Sequence, residues 1–329
     1  MAIKRKMALT VQALAAVAML GITAPVISAE AVIQAASCFP IGSPPGKPFE
    51  NAVDMINKSG VGEVKVVMKG GAPAIGSPFT LTQKAGKGVY DMVGCPEAYF
   101  GNILPEAPAL RLTDISYAEM RKNGGMAIIE KKLAGKGLHY VGRHHNFGEF
   151  YLFTNNKLEK PDLTGMHLRV SPVYAEFFKA LGGTTQSSNY AQVYTYMENG
   201  TVQGYGWPAL GWNPAWLKVT KYRVDPGFYQ ASLHTLVNLK KWKSLTPKQR
   251  GIITAAILQL EKVTEPGSVE LQTALKAQTE KTTAGGMSVI TFKGADAEKW
   301  LATAKKTGWN EVLEKSPKDG KKLMELFTK

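Results

Sequence analysis

With two cysteines in 329 residues, the chain cannot be a disulfide-dense scaffold, and without a Cys-x-x-Cys pair it offers neither a thioredoxin-like redox centre nor a zinc ribbon. It also lacks a Gly-x-Ser-x-Gly elbow and a His-Glu-x-x-His helix, so the common hydrolase and metalloprotease signatures are missing. Gly42-Ser43-Pro44-Pro45-Gly46-Lys47 is one residue short of a phosphate loop, and its prolines remove N–H donors that such a cradle needs. No block of five or six like charges occurs. The net charge of +14 is spread along the chain, which disfavours nucleic acid and suits a field that gathers anionic solutes.

Beyond the first 29 residues no long hydrophobic run remains, which argues against stable membrane insertion. Within them, Lys4, Arg5 and Lys6 precede an apolar stretch from Met7 to Ile22, and Ile27-Ser28-Ala29 supplies a small-residue cleavage site. Residues 1–29 read as an export signal, and the remainder as a protein of the periplasm. Its ordinary composition can build two cores.

What is there is a strand-helix rhythm. Ala31–Ser37, Glu63–Lys69 and Val89–Gly94 read as strands separated by helices over Pro48–Lys58 and Thr80–Ala85. That order predicts a parallel sheet with right-handed crossovers and ligands at the strands' carboxyl ends. Cys38 and Cys95 each follow such a strand, and the first and third strands are usually neighbours. A disulfide at the cleft rim and two separate buried thiols both remain open. Phe39, Glu97 and Tyr99, just past the same strand ends, are candidates for lining the cleft or for plain packing.

Further on, Ser116 and Glu119 form a capping box opening a helix toward Leu133, with Gly124 and Gly125 weakening its middle. Leu138–His144 reads as a strand, and Phe150, Leu152 and Thr154 alternate as another. His144 and His145 point to opposite faces of a strand and do not suit one metal ion. Gly227–Leu239 is a long strand returning to the first lobe. Thr246-Pro247 with Gln249 then caps a long helical stretch broken at Pro266-Gly267.

The densest stretch runs from Leu163 to Pro208. His167–Val170 is a strand, Ser171-Pro172 starts a helix, and Gly182 ends it. Thr184–Gln186, a cap at Ser188 or Asn189, a helix to Asn199 and a strand over Val202–Trp207 repeat the plan. Arg169 therefore sits at a strand's carboxyl end before a helix N-terminus, with a permanent charge and a fork that matches a carboxylate. The residue types alone leave two roles for it: anchor of an anionic solute, or partner of a neighbouring Asp or Glu.

Leu163-Thr164-Gly165-Met166-His167-Leu168-Arg169-Val170, then Ser171-Pro172-Val173-Tyr174, resembles the DctP-like solute-binding proteins of TRAP (tripartite ATP-independent periplasmic) transporters. So do Leu181-Gly182-Gly183-Thr184, Val193-Tyr194 and Asn199-Gly200-Thr201-Val202-Gln203-Gly204. The likeness follows the order of elements over nearly the whole chain after the signal and is sharp from Pro161 to Pro208. It implies an α/β periplasmic binding protein fold: two lobes, two mostly parallel sheets flanked by helices, and a long helix spanning both lobes. Lobe I is expected over 30–146, lobe II over 147–234, and shared return strand, hinge helix and C-terminal elements over 235–329.

The resemblance further implies that Arg169 pairs with the carboxylate of an organic acid, which is handed to membrane permease subunits. No cofactor is implied. Many relatives have Val-Asp-Gly-Gln-Glu-Asn-Pro where this chain has Val202-Gln203-Gly204-Tyr205-Gly206-Trp207-Pro208. A subgroup with Glu-Trp there bridges its ligand through a metal; here Gly206 precedes Trp207, so the metal loses a ligand. Phe150 stands where relatives place polar anchors, and with Trp207, Tyr190 and Tyr194 it walls the site around Arg169; Trp212, in the aromatic loop Gly211-Trp212-Asn213-Pro214-Ala215-Trp216, could cover a ligand or simply pack. Tyr190 and Tyr194 lie four apart on a helix, a spacing at which aromatics are more often core. The expectation is a binder of monocarboxylates, aromatic or of the 2-oxo or 2-hydroxy class. An exported α/β hydrolase, or an extracytoplasmic sensor of the same fold, is the alternative.

Overall fold

Ala31–Ser37 (β1) is the kind of short apolar run that a parallel sheet buries, and in the computed structural model of the protein its second half is fully enclosed. The structure describes residues 29–328. Apart from Ala29, the export signal read from the sequence lies outside these residues. The other strands are Val64–Gly71 (β2), Met92–Pro96 (β3), Leu138–Thr154 (β4), His167–Val170 (β5), Thr184–Ser187 (β6), Gly204–Pro208 (β7), Tyr222–Asn238 (β8) and Ser288–Thr291 (β9).

They form one nine-stranded sheet in the order β2-β1-β3-β8-β4-β7-β5-β6, with β9 alongside part of β8. β1 pairs in parallel with β2 and β3, and β5 in parallel with β6 and β7. Between these two parallel halves lie β4 and β8, antiparallel to each other and 17 residues long each. They belong to both halves and join them into a single sheet.

The two strands expected over Leu138–His144 and Phe150–Thr154 are therefore one. Gly142 and Gly148 lie where the β4–β8 register shifts, and Gly148 has φ of 79°. The strand absorbs them as bulges instead of ending. The reverse holds at Ser116: its hydroxyl accepts from the Glu119 amide as expected, but Gly124 at φ 87° splits the helix into Tyr117–Lys122 and Gly125–Ala134.

Thr246 and Gln249 close a reciprocal capping box on the helix Pro247–Val263, and a second helix, Val269–Ala284, follows the Pro266-Gly267 break. The first packs on β4, where Glu261 accepts from the Arg143 amide at 2.7 Å. In the second, Leu275 sits against Gly148 and Thr279 accepts from Arg223 on β8. The pair thus runs along the two long strands. A smaller apolar core lies between β1, β2, the helix Lys47–Ser59 and the helix Pro247–Val263, and the larger one continues through both halves.

Cys38 and Cys95 are disulfide-bonded, with Cα atoms 5.0 Å apart. β1 and β3 are indeed neighbours, and each cysteine lies at or just past the carboxyl end of its strand. Closing a 57-residue separation contributes about 4 kcal/mol on the chain-entropy model.

Candidate functional site

A cavity of about 30 Å³ lies between the two parallel halves, against the middle of β4 and β8. Its wall comes from residues at or just past the ends of β1 (Phe39), β3 (Glu97, Tyr99), β5 (Ser171) and β7 (Trp207), closed by Phe150 and Ser232 from the long strands. Carboxyl ends of parallel strands converge here because both halves point their βα turns at each other. The wall is mostly aromatic. Phe39 meets Tyr99 at 5.6 Å between ring centres on its own half and Trp207 at 6.2 Å on the other.

Arg169, the third residue of β5, is wholly buried behind this wall. Its Nε donates to the Ser188 hydroxyl at 3.1 Å, one terminal nitrogen donates to the Ser188 carbonyl, and the other reaches the Tyr174 hydroxyl and the Gly206 carbonyl at 3.4 Å each. No carboxylate among the described residues pairs with it, so the role of holding a neighbouring Asp or Glu is not the one it has. Its Cζ lies 5.7 Å from the centre of the Trp207 ring. Burial pushes the Tyr99 hydroxyl up to about 12 against the pull of the Arg169 charge.

Glu97 is the polar exception on the opposite wall. It is 1% exposed, and its Oε2 lies 3.2 Å from His234 Nε2, while His234 Nδ1 lies 3.0 Å from the Tyr140 hydroxyl. Burial pushes the carboxyl up to about 7, with the positive charges of Arg111 and Arg143 opposing, and holds His234 well below the usual range. A neutral His234 that accepts from the Tyr140 hydroxyl has its remaining N–H to donate to Glu97. The other carboxylate oxygen, Oε1, is buried without a hydrogen-bond partner, as is the Ser171 hydroxyl oxygen.

Of the residues singled out in the sequence, Phe39, Glu97, Tyr99, Phe150 and Trp207 line the cavity and Arg169 stands behind it. Tyr190 packs on the outer side of Phe39 and Trp207, at 6.3 and 5.3 Å. Two sit elsewhere. Trp212 donates to the Tyr205 hydroxyl and packs on Trp216, a layer behind Trp207, and Tyr194 is partly exposed and interacts with Glu198 on its own helix. On that short helix Val193 and Met197 take the buried positions. Sequence reasoning missed Phe147, Ser232, His234 and Tyr140, which lie on the long strands and meet across 94 residues in the case of Tyr140 and His234.

A metal does not fit. A Cβ on Gly206 would stand 2.3 Å from the Tyr174 ring, so the space for a glutamate there is taken. Among the described residues no cluster of His, Cys, Asp and Glu has metal-binding geometry. His144 bonds Thr235 and packs on Phe49, while His145 packs on Phe147.

The family model of DctP, the bacterial extracellular solute-binding protein family 7, matches residues 50–315. The chain belongs to this family. A family 7 chain is a solute receptor, and the solved structures it resembles are receptors as well. A TRAP periplasmic solute-binding protein from Desulfovibrio salexigens, with bound orotic acid, superposes with a TM-score of 0.77 at 18% identity, covering 90% of this chain and 97% of that one. A Bordetella pertussis extracytoplasmic solute receptor binding pyroglutamic acid gives 0.78 at 18%, covering 90% and 99%. A TRAP periplasmic protein from Ralstonia eutropha H16 with bound (S)-2-acetolactate gives 0.75 at 20%, covering 90% and 98%. At these identities the likeness carries the α/β binding-protein fold. Among the described residues no helix is long and apolar enough to cross a membrane.

Proposed function

We propose that this family 7 protein is exported by its N-terminal signal, captures an organic acid anion in the periplasm and delivers it to TRAP permease subunits without transforming it. The observation that carries this reading is Arg169: a fully buried guanidinium at a strand's carboxyl end, beside the aromatic-walled cavity, with no carboxylate among the described residues for a partner. The named ligands of the three relatives, orotic acid, pyroglutamic acid and acetolactate, all carry one carboxylate.

In this reading lobe I spans residues 30–146, lobe II 147–234, and 235–329 serves both. An open form admits the solute. Arg169 takes its carboxylate, exchanging carbonyl partners for a charge it matches in two hydrogen bonds. Phe39, Tyr99, Phe150 and Trp207 enclose an apolar or aromatic body, with Tyr190 behind them. Closure removes water and strengthens the ion pair as the local dielectric falls.

The test is a thermal-shift screen of refolded protein against aromatic monocarboxylates, 2-oxo and 2-hydroxy acids, C4-dicarboxylates and sugar acids. A ligand at a thousand times its Kd adds about 4 kcal/mol of stability. Arg169→Ala should remove about 2–5 kcal/mol of binding energy. Wild-type affinity in that variant would overturn the anchor.

A further inference from the structure

Glu97 Oε1 is a carboxylate oxygen in the wall of a mostly apolar cavity, buried and without a hydrogen-bond partner. The rest of the group is fixed. Oε2 is held by His234, and His234 by Tyr140. The two arginines whose charge acts on Glu97 make no hydrogen bond to it: Arg111 donates from one terminal nitrogen to the Val173 carbonyl and to Glu311, Arg143 lies 3.7 Å over the Tyr117 ring, and Nε and Nη1 of both are buried without a hydrogen-bond partner of their own. A buried acceptor left unmatched is costly, so a donor brought by a solute gains there what it loses in leaving water.

We infer that the solute carries a hydrogen-bond donor, a hydroxyl or amide N–H, in addition to its carboxylate, and that Glu97 Oε1 accepts from it. This rests on the carboxylate reading of Arg169 and deepens it. The two ends of the solute cannot be exchanged. A carboxylate facing Glu97 would meet a like charge in a dry site, whereas facing the Arg169 wall it meets an opposite one. Ser171, two residues beyond Arg169, supplies an unpartnered hydroxyl on the carboxylate side. The class is therefore donor-bearing monocarboxylates, with plain fatty or aryl acids rejected because they leave Glu97 unmatched. His234 is a positioning residue, setting which oxygen of Glu97 is free.

The experiment is isothermal titration at about pH 8, above the value near 7 to which burial pushes Glu97. Matched probes differ only in the donor-bearing group: lactate and propionate, mandelate and phenylacetate, pyroglutamate and 3-oxocyclopentanecarboxylate. In every pair that binds, the donor-bearing acid should bind roughly tenfold or more tightly. That ratio should fall toward unity in Glu97→Leu and shrink in Glu97→Gln, which serves if the leucine variant fails to fold. Arg169→Ala should weaken both members alike and keep the ratio. Equal wild-type affinity within each pair, still dependent on Arg169, overturns this inference and leaves the carboxylate reading standing. A ratio preserved in the Glu97 variants overturns the assignment to Glu97. Binding of none of the six acids overturns the carboxylate reading, and this inference with it.

Discussion

The hydroxyl of Tyr174 donates to the Gly206 carbonyl at 2.6 Å, and its ring occupies the space that any side chain at Gly206 would need. The same carbonyl is within reach of Arg169 at 3.4 Å. Tyr174 therefore props Arg169 from one side and excludes a side chain at the neighbour of Trp207 from the other. Gly206→Ala should cost about 1–3 kcal/mol in denaturant unfolding, since a packed ring has to move. Gly206→Ala combined with Tyr174→Ala should lose less than the sum of the single effects. Strict additivity would show that the two positions are not in contact.

Arg169→Lys tests the fork separately from the charge. A lysine keeps one positive charge but cannot reach the Ser188 hydroxyl, the Ser188 carbonyl and the Gly206 carbonyl with one planar group. Affinity for the acid found in the screen should fall roughly tenfold or more. Calorimetry that gave an unchanged Kd would mean a point charge suffices.

The Cys38–Cys95 bridge ties the ends of β1 and β3 directly beside Phe39 and Glu97. Reduction, or replacement of both cysteines by serine, should lower stability by about 4 kcal/mol. Urea midpoints of oxidised and reduced protein measure this. An equal midpoint would show that the reduced chain already holds the loop.

Buried titratable groups give the stability an opposing pair of pH dependences. Glu97, raised from 4.5 to about 7, binds its proton more tightly in the folded state, so its contribution is full at low pH and is lost as pH rises toward 7. Burial lowers His139 and His145 to about 4, and His144 and His234 well below their usual value. These contribute fully above about 6.5, and their contribution is lost as pH falls through the folded values. Glu130 and Glu149 are raised by burial in the same sense as Glu97, whereas Glu106 and Glu261 are lowered, against burial, by their hydrogen bonds and nearby cations and act with the histidines on acidification. With four histidines and two lowered carboxyls against three raised ones, the protein should lose stability on acidification below about pH 6.5. Glu97→Gln removes only the Glu97 component. The stability of wild type relative to this variant should fall by on the order of 3 kcal/mol between pH 4.5 and 7, then stay level. A difference that is constant over that range would return Glu97 to an ordinary carboxylate.

Local chemistry made much of the fold legible. Caps at Ser116 and Thr246, the Pro266-Gly267 break and the left-handed Gly182 all act within a few residues, and they stand where the sequence places them. Arg169 was legible because strand-end and helix-start signals bracket it. Phe39, Glu97 and Tyr99 were visible as the first residues past strand ends. Ser232, His234 and Phe147 were not, because they lie inside long strands where period-2 burial is indistinguishable from core. The Tyr140–His234–Glu97 chain joins three elements with no local spacing between them, so no window of sequence contains it. Tyr194 and Trp212 stand off the cavity for a simpler reason: aromatic character gives no direction. Val193 and Met197 take the buried face of the helix that carries Tyr194, and Trp212, itself buried, is turned to Tyr205 and Trp216.

The shared strands β4 and β8 have a mechanical meaning. Two halves joined by loops could swing freely, but halves joined by a continuous antiparallel ribbon separate only as the ribbon bends and twists. Its register slips at five points between Tyr140 and Leu152, so that is where it is softest. Phe147, Phe150 and Ser232, which wall the cavity, are on the same soft segment or paired across it. The spring and the binding wall are one piece of backbone. In the proposed reading, a solute pressing on Phe150 or Ser232 would load the spring directly, and occupancy would be converted into shape without any relay between the site and the ribbon.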